Sequence, residues 1–286
     1  MEMKVGIVTD SLSNLPLDIA EKYNIYIVHG LIYIDNRRYI AGVEVSTEEI
    51  LEIINKKTLK TAVPSPGDYY SVYERILDKY DIIISLHCPT KQTAFLKSAK
   101  LGAKRTKNPE KIIHIECGVA TLGLGLVAIS TAILAKSIED LDLLLKRIDS
   151  LCKRVDVLGA VNSFDYIKKS GRVKLKLAGT FASIVAVKPV LAMHGSNIML
   201  LERTWNRQKA LEKLQSQFQK RFDPSIEPKM IGISHLMGLK EAEVIKANIN
   251  KKYPSHEIIF TDVDPMIASN TGPGLMLLTF FSKPNI

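Results

Sequence analysis

Ile82-Ile83-Ile84-Ser85-Leu86 is a short apolar run, rich in β-branched residues and broken only by one small polar side chain. Such a run suits a strand buried on both faces better than a helix. Residues 69–79 before it and 91–105 after it carry apolar side chains at helical spacing. A strand set between two helices in this way belongs to a parallel sheet covered on both sides. The alternation repeats outward: strand at 5–9, a short helix entered near Pro16, a β-rich stretch at 25–34 and a helix at 47–55. Downstream come a strand at 111–115 and helices at 118–136 and 138–151.

Past this point the pattern changes. A strand is expected at 156–161 and a short helix at 164–169, followed by a basic loop. Two β-like runs, 183–193 and 197–202, flank His194-Gly195-Ser196, which reads as a hairpin and not a crossover. Helices at 207–221 and 240–251 then alternate with strands at 230–234 and 257–261, and an apolar strand closes the chain near Phe281. The expected fold is therefore α/β: a mostly parallel amino-terminal sheet with helices on both faces over 1–158, and a second α+β domain over 159–286. The boundary is placed near Gly159.

Composition narrows the function classes. The 286 residues are 46% hydrophobic and 24% charged, average for a globular protein. Aromatics are only 7%, too few for a base-stacking surface, and no nucleic-acid module accompanies the net charge of +9. Part of that excess lies in Lys97, Lys100, Lys104, Arg105 and Lys107. The first three share a helical face, solvated by default, that also fits an acidic partner or a transient contact with an anionic membrane surface. No signal peptide or membrane-length apolar run is read, and three cysteines without metal spacing fit reduced thiols in a cytoplasm.

Four polar turns fall where an open α/β sheet places its ligands, outside the carboxyl ends of strands. They are Thr9-Asp10-Ser11, the proline loop Lys60-Thr61-Ala62-Val63-Pro64-Ser65-Pro66, His87-Cys88-Pro89-Thr90-Lys91-Gln92-Thr93, and Asn270-Thr271-Gly272-Pro273-Gly274. The two prolines of the second turn exclude a helix interior or central strand, leaving a rigid loop that offers the Thr61 and Ser65 hydroxyls. Hydroxyls and amides near helix amino termini suit a carboxylate or phosphate. Arg172, in a basic loop, and Arg203, at a strand end, have solvent as their default. No P-loop, GxGxxG, GxSxG or HExxH is present, and a Ser/His/Asp set drawn from Ser11, Asp10 and His235 has no support in spacing. The residues describe a binding site without a reactive group, a metal or a cofactor.

These motifs, in this order, resemble the DegV family of bacterial fatty-acid-binding proteins over essentially the whole chain. Val8-Thr9-Asp10-Ser11 is similar to the family's opening V-T-D-S, and the proline loop to its K-T-S-Q-P-S-P. Lys168-Lys169-Ser170-Gly171-Arg172-Val173 resembles L-K-K-G-G-R-I, Lys188-Pro189-Val190-Leu191 resembles K-P-I-L, and Glu202-Arg203-Thr204 resembles K-x-R-T. The resemblance implies two domains that enclose one long-chain fatty acid in a tunnel at their junction, with no covalent step by the binding protein itself. It also implies a fatty acid kinase partner that phosphorylates the presented carboxylate. Thr61 matches the threonine that donates to the carboxylate, and Arg172 and Arg203 match arginines near the head group.

The chain departs from the family pattern at informative places. Where L-S-G-T carries a carboxylate-binding serine, Thr90-Lys91-Gln92-Thr93 stands, so Lys91 and Gln92 replace serine and glycine. Asn270 replaces the histidine of H-x-G-P-G, and Glu116-Cys117 replaces D-S after the fourth strand. Lys91 could pair with the carboxylate or fill its space. The expected fatty-acid site is Ser11, Thr61, Lys91, Gln92, Thr93, Arg172, Arg203 and Asn270, with Leu122, Leu124, Leu126, Ile184, Val187, Val190 and Leu191 as wall or ordinary core. A stand-alone phosphotransferase or hydrolase acting on acidic lipids, and a diverged member without ligand, stay open as alternatives.

Overall fold

The computed structural model describes residues 3–163, 165–166 and 187–284. Strand β1 (Val5–Asp10) passes through a tight turn (Ser11–Ser13) and α1 (Leu17–Lys22) to β2 (Ile25–Val28), which lies parallel to it. The chain then leaves that sheet. β3 (Leu31–Ile34) and β4 (Arg37–Ile40) form a hairpin on Asp35-Asn36, whose φ values of 48° and 69° are those of the turn that matches strand twist. After α2 (Thr47–Ile53), β5 (Leu59–Ala62) pairs with the other edge of β3, completing a small antiparallel sheet. α3 (Pro66–Ile76), β6 (Ile82–His87), α4 (Phe95–Ala103) and β7 (Ile112–Glu116) return to the first sheet, whose order is β2-β1-β6-β7, parallel throughout.

α5 (Leu122–Leu134) and α6 (Leu141–Arg154) carry the chain to the second sheet. Its strands are β8 (Val155–Ala160), β9 (Lys188–His194), β10 (Asn197–Thr204), β11 (Met230–His235), β12 (Glu257–Asp262) and β13 (Met276–Phe281). They run in the order β10-β9-β8-β13-β11-β12. Helices α7 (Arg207–Arg221), α8 (Leu239–Lys252) and α9 (Pro265–Thr271) connect the later strands. Gly159 lies inside β8, which pairs along its length with β13, so a division there falls within a strand of the second sheet.

α5 explains how the two sheets share a core. Its residues are apolar except Ser130 and Thr131, whose hydroxyls donate back to the Leu126 and Val127 carbonyls, and Leu122 through Ala132 are buried. A helix without a polar face must be covered on every side, and α5 packs on β1 from one sheet and on β8, β11 and β13 from the other. A second cluster fills the opposite face of the six-stranded sheet, where Phe218 of α7 stands edge-on to Phe280 of β13 at 4.9 Å.

Several local expectations shift for physical reasons. The β-rich stretch at 25–34 is two strands in different sheets, parted at Gly30, where an added Cβ would fall 2.1 Å from Met266 Sδ. α4 starts at Phe95 and not at 91, because the Pro89 carbonyl accepts from the amides of Gln92 and Thr93 and forms a separate turn. α9 was not expected. It begins on an Asp264 cap followed by Pro265 and ends at Gly272, with φ of 68°. Thr61 sits in β5 and not in a loop, and Ser65 is the cap of α3, its hydroxyl committed to Asp68.

Candidate functional site

Between the carboxyl ends of the parallel sheet and the inner face of the six-stranded sheet lies a cavity of about 180 Å³. The first side contributes Leu12 from the turn after β1, Gln92 and Thr93 from the β6–α4 loop, and Ala120 and Thr121 ahead of α5. The facing side contributes Val157, Gly159, Leu191, Met193, Leu275 and Leu277, all without polar side chains. α9 closes the remainder with Met266, Ile267, Asn270 and Thr271. The polar groups thus come from loops and helix ends, and the apolar surface comes from a sheet face. An apolar cavity of about 150 Å³ stays dry and accepts a benzene-sized guest. This volume takes a length of hydrocarbon, and a longer chain must run past these walls or spread them.

Thr121 is the least relaxed residue of the lining. Its φ of 58° and ψ of −155° lie in a region populated almost solely by glycine, a backbone cost of about 1–3 kcal/mol. Its Oγ1 is buried with no hydrogen-bond partner among the described residues. As the residue before α5 it provides no side-chain cap, and Gly125 is the first amide bonded back to it. The buried amino end of this helix is therefore left without a side-chain cap beside the cavity, where its partial positive charge favours an anion.

The other polar lining groups differ in how committed they are. Gln92 and Thr93 are half-buried and their side chains make no hydrogen bond among the described residues. Asn270 donates through Nδ2 to the Met266 carbonyl at 2.5 Å, leaving its Oδ1 as an acceptor, and Thr271 Oγ1 is used by the Ile267 carbonyl at 2.9 Å.

A second polar group lies behind this lining. Asp10 Oδ2 meets His87 Nδ1 at 3.2 Å, His87 Nε2 meets Ser85 Oγ at 2.9 Å, and Ser85 Oγ meets the Tyr73 hydroxyl at 2.7 Å. The order resembles a nucleophile triad. However, all four side chains are sealed from solvent and Ser85 Oγ is already shared between two partners. Burial raises the Asp10 carboxyl and the Tyr73 phenol, and it lowers nearby His114 to about 4. Asp10 Oδ1 also accepts from the Leu12 amide at 3.1 Å, so the relay shapes the turn that carries Leu12 into the cavity.

The expected site residues separate into three groups. Gln92, Thr93 and Asn270 line the cavity. Ser11 and Thr61 do not line it. Ser11 Oγ accepts from Gly30 N at 3.1 Å and lies 3.9 Å from Met266 Sδ, while Thr61 is half-buried in β5 opposite Ile32. Lys91 and Arg203 are exposed, Arg203 on β10 opposite Pro189. Lys91 therefore does not fill the cavity. Arg172 and Ile184 lie outside the described residues. Of the expected wall residues Leu191 is lining, whereas Leu122, Leu124 and Leu126 are core of α5. Thr121 was missed; its only sequence signal is a hydroxyl residue just before the helical Leu122-Gly123-Leu124-Gly125.

Among the described residues no group of three or more His, Cys, Asp or Glu could hold a metal ion, and no helix is long and apolar enough to cross a membrane. The family model described as DegV, a family of uncharacterised proteins, matches residues 4–283. A DegV domain-containing protein of Streptomyces coelicolor is 26% identical over 286 residues, which covers 99% of this chain and 100% of that one. Two solved structures share the fold at a TM-score of 0.85. One is a DegV family protein of Thermus thermophilus described for fatty acid binding, 24% identical, with 98% of this chain and 100% of that chain covered. The other is DegV of Bacillus subtilis, described as a fatty acid binding protein, 22% identical with the same coverage. Topology, motif order and this full-length match agree: the chain belongs to the DegV family.

Proposed function

We propose that this protein binds a long-chain fatty acid, with the tail against the face of β8, β9 and β13 and the carboxylate at Thr121, Thr93 and Gln92 beside the amino end of α5. The observation that carries this reading is the unpartnered, buried hydroxyl of Thr121, a lining residue at an uncapped helix start, in a cavity whose facing wall is apolar. The relatives from Thermus thermophilus and Bacillus subtilis, described as fatty-acid-binding, support the ligand class. Transfer of a C16 tail from water is worth roughly 12 kcal/mol gross at about 0.8 kcal/mol per methylene. Ordering and lost free motion offset much of that, so the polar end needs only to fix the head group and its register.

We infer further that the chain performs no group transfer itself, because its triad-like relay is sealed and its serine oxygen is occupied. Handing the bound acid to a kinase partner is the step the family resemblance implies. The test of binding is mass spectrometry of the purified protein after gentle denaturation. Recovery of a C14–C18 acid at near one equivalent is expected, and its absence from protein expressed with fatty acid in the medium would overturn the reading.

A further inference from the structure

The three cysteines, at positions 88, 117 and 152, draw together in the fold. Cys117 follows β7 and its amide donates to the His87 carbonyl at 2.7 Å, next to Cys88. Its Sγ lies 3.2 Å from Sγ of Cys152 on α6. A disulfide measures about 2.05 Å, so an approach of about 1.2 Å separates this contact from a bond. Cys117 is fully buried, whereas Cys152 keeps part of its surface open.

Cys117 leads directly into the cavity wall. Ser196 N donates to the Gly118 carbonyl at 2.6 Å, and a Cβ on Gly118 would fall 2.9 Å from Gly195 Cα, so this turn is pressed against the β9–β10 hairpin. Ala120 and the strained Thr121 follow as lining residues. On the other side, α6 runs straight into β8, which supplies Val157 and Gly159 to the facing wall. A covalent link between Cys117 and Cys152 would tie both walls to one point.

We propose that Cys117 and Cys152 are a modification site: a thiol pair that a peroxide converts to a reversible disulfide, fixing the turn at 118–121 against α6. The Cys152 thiolate attacks one oxygen of the peroxide and the O–O bond breaks. Cys152 becomes a sulfenic acid and the released hydroxide takes up the thiol proton as water. Cys117 then attacks the Cys152 sulfur, its proton leaves with the sulfenic hydroxyl as a second water, and the S–S bond forms. Two thiols lose two electrons and one peroxide becomes two waters. The contact with Cys152 and burial push the Cys117 thiol up, so the partly open Cys152, and not Cys117, is the thiol that meets the oxidant.

The bond itself is independent of the fatty-acid reading; its effect on ligand release rests on that reading. The experiment treats the full chain with excess hydrogen peroxide, removes the oxidant, unfolds and labels with N-ethylmaleimide, and weighs the protein. Three adducts are expected before treatment, one after it, and three again after dithiothreitol. Cys88→Ser should go from two adducts to none, and Cys152→Ser should keep both of its own. Three adducts throughout, a covalent dimer, or Cys152 carried on to sulfinic acid would overturn the pairing. In the disulfide form, amide exchange over 118–121 should slow by about tenfold. Release of cis-parinaric acid should slow by about threefold or more. A disulfide that leaves both rates unchanged overturns the coupling to the wall. Failure of the reduced protein to bind cis-parinaric acid counts against the fatty-acid reading and leaves the adduct count standing.

Discussion

His87 Nδ1 lies 3.2 Å from Asp10 Oδ2, and neither side chain has any surface open to solvent. The two residues end neighbouring parallel strands, β1 and β6, so their contact sets the relative position of the turns that carry Leu12 and Gln92-Thr93. The reach from Asp10 to the Leu12 amide and from His87 through Ser85 to Tyr73 spreads that constraint into the core.

Breaking the pair is therefore costly. His87→Ala leaves the Asp10 carboxyl buried without its partner, and a loss of about 3–5 kcal/mol in unfolding free energy is expected. Urea denaturation of both proteins measures it. A loss below about 1 kcal/mol would show that the pair has no structural role.

Asp264 gives the fold a dependence on pH. Burial, with a smaller push from Asp10, raises its carboxyl to about 7, against the pull of the Met266 and Ile267 amides that it caps. The folded value lies above the unfolded 3.8, so folding takes up a proton. The stabilisation is full below about pH 4 and is lost as the pH climbs through 7. At about 1.4 kcal/mol per unit the effect is bounded near 4 kcal/mol, and the partly open edge of Asp264 reduces it. His114, lowered to about 4 by burial, acts in the opposite sense between about pH 4 and 6.5. The informative quantity is thus the difference between the wild type and Asp264→Asn, read from urea midpoints at a series of pH values. The variant should gain on the wild type from pH 5 to 8, and parallel curves would refute the assignment.

Thr121 should trade stability for binding. Thr121→Gly removes the strain of a threonine at φ 58°, worth about 1–3 kcal/mol. Freedom gained by the unfolded chain takes back about 0.4–1 kcal/mol. The expected variant melts at the same temperature or a few degrees higher and binds fatty acid about tenfold more weakly, the cost of one hydrogen bond to a charged group. A lower melting temperature with unchanged affinity would mean that the conformation serves folding alone.

Head-group contacts can be ranked by displacement of a fluorescent fatty acid. Thr121→Ala should weaken binding by about tenfold or more. Thr61→Ala should weaken it less, since Thr61 lies in β5 and does not line the cavity. Lys91→Ala should change affinity by no more than about twofold, because its exposed ammonium is screened by water. An order with Lys91 first would place the carboxylate outside the cavity described above.

The sequence by itself determined the alternation of strands and helices, because the period of apolar residues is a local property written along the chain. The parallel first sheet, the β9–β10 hairpin and the turn bearing Gln92 and Thr93 were legible in the sequence, whereas Asn270, expected on a turn, lies in α9. Short elements fixed by distant contacts were not: β4, α9 and the break at Gly30 depend on register, caps and the approach of Met266. Only the tertiary structure decided that Thr121 lines the cavity with its hydroxyl buried and unpartnered among the described residues, that Asp10 is joined to His87, and that Cys117 touches Cys152. Each of these meetings joins segments whose separation along the chain sets no distance in space. Pairing of β1 with β6 sets Asp10 beside His87, and α5, packed between the two sheets, leads the chain from Cys117 to α6 and Cys152.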